Sequence, residues 1–110
     1  MKNLQLTETA NKLYNSIKEK GSMWELNTIE SIYPKPIYSK ETAADFWQWE
    51  ANAYGYKINR PVNGENIWFE INVEVSYMDI VYNAAKELKS HNLISSRNNG
   101  YNEYSYHIIN

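Results

Sequence analysis

The middle of the chain holds the residues most capable of chemistry. Between residues 61 and 80 stand Glu65, Glu70, Glu74 and Asp79 with no Lys or Arg, and Trp68 lies among them. Carboxylates can serve as general acid and base or hold a metal, provided that they converge. In "NIWFEINVEV", Asn66 to Val75, apolar and polar residues alternate, so a continuous strand would put Ile67, Phe69, Ile71, Val73 and Val75 on one face. Trp68, Glu70, Asn72 and Glu74 would share the other. On such a strand Glu70 and Glu74 stand roughly 13 Å apart at ~3.3 Å per residue. A carboxylate pair acting on one glycosidic bond needs about 5 to 9.5 Å. The acidic row therefore reads as a solvated or partner-facing surface.

Other catalytic signatures are absent. His91 and His107 show none of the HxH, HxxxH or HExxH spacings that bind metal, and each reads as an ordinary surface or helix-end residue. Gly21, Gly55, Gly64 and Gly100 are isolated, so no phosphate-cradling loop is spelled out, and no GxSxG elbow occurs. The chain has no cysteine, which removes disulfides and thiolate ligands. These observations point to a non-enzymatic protein with no cofactor and no metal.

A length of 110 residues suits one α+β domain with a single core. Net charge is −2 and the pI is near 5.7, which disfavours long-range attraction to phosphate backbones. The N-terminal "MKNLQLTETANK" has no signal-peptide core, and no stretch approaches the ~18 apolar residues of a membrane span. The expectation is a cytoplasmic protein with no membrane partner. Abundant Asn and Tyr with few Gly and Ala suggest an AT-rich genome, such as that of a low-GC bacterium, its plasmid or its phage.

Helical periodicity predicts a first helix from Thr7 to Lys20 through Leu6, Ala10, Leu13, Tyr14 and Ile17, closed by Gly21. "SMWE" has the form of a capping box, so residues 22–33 are read as a short helix stopped by "PKP", with strand as the competing reading. Ser39 or Thr42 caps a third helix ending at Gly55. Asn63-Gly64 then predicts a hairpin, because both residues accept the positive φ of a type I′ turn. "SYMD" opens a fourth helix running to about His91 or Asn92, and Asn99-Gly100 marks a second hairpin. Residues 39–75 and 76–109 thus repeat the order helix, strand, turn, strand. The predicted architecture packs helices on one face of an antiparallel sheet built from the two hairpins.

Each helix followed by a Gly-turn hairpin resembles the recognition helix and wing of the winged-helix family. The likeness lies in "ETAADFWQWEANAYGYKINRPVNGENIWFEI" and "DIVYNAAKELKSHNLISSRNNGYNEYSYHII", about half of the chain, and rests on element order. It implies DNA binding, with Lys57 and Arg60 of the first copy or Lys86, Lys89 and Arg97 of the second facing phosphates, as a transcriptional regulator or plasmid accessory factor would. Charge favours a different expectation: a protein-protein inhibitor or adaptor of mobile-element type, for example an anti-defence or immunity protein that blocks a nuclease. Trp68 would anchor a basic nuclease or nucleic-acid-binding protein, with Glu65, Glu70, Glu74 and Asp79 around it. Two hairpins also leave edge strands that a homodimer could cover.

Overall fold

A computed structural model of the chain describes residues 5–98, 100 and 103–109. Among them the order is α1 (Glu8–Lys20), β1 (Ser22–Trp24), α2 (Glu25–Ile32), α3 (Ala43–Tyr54), β2 (Ile58–Val62), β3 (Glu65–Phe69), α4 (Tyr77–Ser90), β4 (Ile94–Asn98) and β5 (Tyr104–Ile108). The class is α+β, and the order of helices and hairpins follows the sequence pattern. The chain divides into two compact units: a flanking unit, Met1–Ile32 with Ile80–Asn110, and an inserted unit, Tyr33–Asp79. The first helix–hairpin segment falls within the inserted unit, and nearly all of the second within the flanking unit.

In the flanking unit, Thr7 caps α1 by accepting from the Ala10 N–H, and Gly21 ends the helix at φ +81. The buried side chains Ala10, Leu13 and Ile17 fall at the predicted helical spacing. Ser22–Trp24 forms a strand, so the capping-box reading of Ser22 is corrected and α2 begins only at Glu25. The physical reason is the free edge of β5: Ser22, Met23 and Trp24 pair with His107, Tyr106 and Ser105. On its other edge β5 pairs with β4 from Ile94↔Ile108 to Asn98↔Tyr104. The sheet order is β1-β5-β4. The Asn99-Gly100 turn involves Asn99, which lies outside the described residues. Leu13, Ile17, Ile29, Val81, Leu88 and Ile94 are the large apolar side chains wholly withdrawn from solvent.

In the inserted unit, α3 ends at Gly55 in the left-handed region. A Cβ there would stand 3.2 Å from that of Ser76, so space as well as φ favours glycine. Asn63 (φ 53) and Gly64 (φ 84) make the tight turn, and β2 pairs with β3 in its own two-stranded sheet. Helix α3 packs on this hairpin through Ala51, Ile58 and Phe69, with Trp47 and Val62 against them. The two hairpins therefore do not share the one sheet that the sequence pattern predicts: β4-β5 is extended by β1, and β2-β3 stands as a separate two-stranded sheet.

The strand expected to run to Val75 ends at Phe69. Beyond it, side chains of α3 replace a neighbouring strand as partners of the backbone. Gln48 Nε2 donates to the Glu70 carbonyl (2.7 Å), and the Asn72 N–H donates to Asn52 Oδ1 (2.9 Å). Of the expected core row only Phe69 is buried, while Ile67 is exposed and Ile71 and Val73 are half-buried.

Candidate functional site

The acidic residues singled out from sequence all lie in the inserted unit, and all are exposed. Glu65 opens β3 opposite Val62, and Trp68 pairs across the hairpin with Asn59. By strand alternation Glu65 points to the face opposite Trp68. Glu70 follows the end of β3, and Glu74 lies in the bend after it, so no continuous strand puts these two on one face. Asp79 stands in the first turn of α4, where its N–H donates to Ser76 Oγ (3.1 Å). Carboxylates suit that position, since the N-terminal end of a helix carries partial positive charge.

Cations in this unit are largely engaged with aromatic rings. Lys57 Nζ lies 5.1 Å from the Trp68 ring centroid, and the Arg60 guanidinium 5.0 Å from that of Trp47. Lys35 sits over both Phe46 and Trp49 and also pairs with Glu50 at 3.8 Å. Such contacts pull cations onto ring faces through the aromatic quadrupole. They leave Glu41, Asp45, Glu65, Glu70, Glu74 and Asp79 exposed and without an ion pair among the described residues. Counted along the sequence, the inserted unit has seven Asp and Glu against four Lys and Arg, and the flanking unit six against seven.

The inserted unit also exposes Ile37, Tyr38, Tyr56, Ile67, Trp68 and Val75, with Trp68 at 61%. A Tyr33–Tyr77 stack, centroids 4.0 Å apart, adjoins Trp49, whose Nε1 donates to the Tyr33 carbonyl. Burial, with the neighbouring Tyr77 hydroxyl, raises the Tyr33 pKa and keeps its phenol neutral. None of these groups converges with the carboxylates into an acid–base or metal constellation, and among the described residues no group of three His, Asp or Glu could hold an ion.

Of the basic candidates, Lys86 and Lys89 are exposed on α4, with Lys86 over the Tyr82 ring. Arg97 lies on β4, opposite Ser105. Arg97 belongs to a feature that sequence reading missed, an open groove of about 490 Å3 on the β1-β5-β4 sheet. Its walls include Lys20, Trp24, Asn27, Ser105 and His107. The available signal was the exposed–buried–exposed pattern of "SMW", too short to separate from the first turn of a helix. Comparison with known protein families, characterised proteins and solved structures finds no match.

Proposed function

We propose that the protein is a non-enzymatic binding protein that docks through its inserted unit onto a basic protein surface, as an inhibitor or adaptor of a nuclease or similar nucleic-acid-handling protein would. The observation that carries this reading is the coincidence in one unit of six exposed carboxylates that make no ion pair among the described residues with six exposed large apolar side chains. Unpaired surface charge steers encounter and selects partners of opposite sign, while exposed rings supply contact area. Trp68 is the anchor, and Glu65, Glu70, Glu74 and Asp79 supply the field. The test is affinity capture from nuclease-digested host lysate with the wild type and with a Trp68→Ala/Glu70→Lys variant. A basic protein retained by the first and lost by the second supports the reading; identical captures exclude this surface.

A second reading is favoured by the flanking unit. Its order α1-β1-α2-α4-β4-β5, with strands arranged β1-β5-β4, resembles a winged helix more fully than a helix and hairpin alone, because the short β1 stands between two helices and closes the sheet. In that arrangement α4 would enter the major groove, with Tyr82, Asn83, Lys86 and Lys89 exposed along it. Asn is a residue type that reads adenine, and the lysines would meet phosphates. Duplex binding at ~50 mM salt that weakens with Lys86→Glu/Lys89→Glu supports this reading, and no binding at that salt removes it.

A further inference from the structure

The outer face of the three-stranded sheet combines an aromatic platform with cations, and no opposing charge lines its groove among the described residues. Side chains of directly paired residues share a face, so Trp24, Ser105 and Arg97 form one row across β1, β5 and β4. Ser22, His107 and Ser95 form the next. The same alternation sends Met23 and Tyr106 inward, where both are buried. Burial, followed by the Glu25 carboxylate, pushes the Tyr106 phenol far above its ordinary range, so Tyr106 stays neutral on the inner side. On the outer side the Trp24 indole is 49% exposed. Ser105 Oγ and His107 Nε2 share a hydrogen bond of 2.9 Å, which fixes the imidazole in the floor of the groove.

We infer that this groove is a binding site for a short single-stranded stretch of nucleic acid. The Trp24 indole stacks on an unpaired base, and Lys20, Arg97 and His107 meet the phosphates. Charge complementarity is the first argument: among the described residues no Asp or Glu lines the groove, and neither Lys20 nor Arg97 has an ion pair. The second is the spacing of unlike groups. Trp24 and Arg97 are separated by one intervening strand, so their backbones stand roughly 10 Å apart, and both side chains reach into the space above β5. A ligand that fits carries an aromatic face and an anion on each repeating unit. An acidic peptide supplies the anions without the faces. A duplex buries its base faces in the stack, where an indole on a sheet cannot reach them. Single strands offer both, and aromatic platforms inside positive grooves are the usual means of holding them. Asn27 at the rim adds an amide able to bond a base edge.

The test uses the full chain and a fluorescein-labelled oligothymidylate of about ten nucleotides, a length within the ~4 to 16 that such platforms cover. Fluorescence anisotropy at low salt should show binding that Trp24→Ala weakens about tenfold, with Trp24→Phe retaining most of the affinity. Arg97→Ala should weaken binding and flatten its salt dependence by roughly 0.7 in log–log slope, the loss of one phosphate contact on a single strand. Trp68→Ala should bind as the wild type does. All three positions are exposed, and thermal melts establish that each variant is folded. The inference is overturned if the oligomer does not bind, if Trp24→Ala and Arg97→Ala bind it like the wild type, or if thymidine monophosphate or oligoglutamate binds as tightly with the same sensitivity to Trp24→Ala.

Discussion

The two units use the same local order of helix, glycine turn and hairpin, yet end with different surfaces. In the flanking unit a third strand, β1, and the helices α1 and α2 join the helix–hairpin, and six large apolar side chains are wholly withdrawn from water. In the inserted unit α3 packs on the hairpin, and the central buried cluster is Ala51, Ile58 and Phe69. Trp49 is buried too, but Phe46 and Trp47 are half-buried and Trp68 is exposed, each with a cation over its ring, and the buried Trp47 Nε1 has no hydrogen-bond partner among the described residues. A two-stranded hairpin is marginal in water until something covers a face. Three of the flanking unit's six, Leu13, Ile17 and Ile29, come from α1 and α2, so the difference teaches that the added elements, more than the helix–hairpin pattern itself, decide how much of each unit can be buried.

The comparison is most sharply tested by truncating each core. Phe69→Ala should cost about 3 to 5 kcal/mol, and Leu13→Ala about 2 to 5, by lost burial and the cavity left behind. The informative readout is amide hydrogen exchange. With Phe69→Ala, protection should fall in β2 and β3 while the amides of β5 keep theirs; with Leu13→Ala, protection in β1 and β5 should fall. Equal loss everywhere in both variants would mean that the chain opens as one cooperative body, and the division into units would have no energetic meaning.

The next largest effect lies at the start of α1. Thr7 caps the helix, and its backbone N–H and hydroxyl both donate to Glu87 at 2.8 Å. Thr7→Ala should destabilise by about 1 to 2 kcal/mol through the lost cap and hydroxyl bond. Those Thr7 bonds, the backbone one first, hold the Glu87 carboxyl below the ordinary carboxylate range. A depressed folded pKa contributes stability that is complete above the unfolded value, near ~4.3, and disappears as pH falls through the folded one. The melting difference between wild type and Thr7→Ala should therefore be full at neutral pH and shrink as the solution is acidified below that value. A difference independent of pH would assign the whole effect to the cap.

In the inserted unit the comparable tie is Asn52, which is buried, accepts from the Asn72 N–H and receives the Gln48 amide. Asn52→Leu should cost about 1 kcal/mol by leaving that N–H without its partner, and exchange at Asn72 should accelerate. This tie also explains what could and could not be read from sequence. The turn at Asn63-Gly64, the stops at Gly21 and Gly55 and the Ser76 cap of α4 are local: each is decided by a φ value or a bond within a few residues. The end of β3 is not local. Alternation from Ile67 to Val75 fits any extended chain, and only the arrival of Gln48 and Asn52 from α3 decides that residues 70–72 do without a strand partner. Ser22–Trp24 failed for the same reason, since its pairing is written in "YSYHI", near the other end of the chain. Trp68 and the carboxylates were legible as exposed. Their cationic neighbours were not, and neither was the second outward indole, Trp24.

The smallest effect concerns the contact that bears most directly on docking. Lys57 over Trp68 is an exposed cation–π pair, expected to contribute about 0.5 to 1 kcal/mol. Lys57→Met should lower the melting temperature by only a few degrees, since ~1 kcal/mol shifts a domain of this size by roughly 4 to 8 °C. Its effect on association should have the opposite sign. The substitution frees one ring face and removes one of the four cations that offset the seven acidic residues of this unit. A basic partner that lands on Trp68 must otherwise displace or tolerate Lys57. Binding to such a partner should therefore become faster and more salt-sensitive in Lys57→Met, while Trp68→Ala abolishes the gain. Lys57→Met that weakens association would instead make the lysine part of the contact, and the surface around Trp68 would have to be read as mixed in charge rather than acidic.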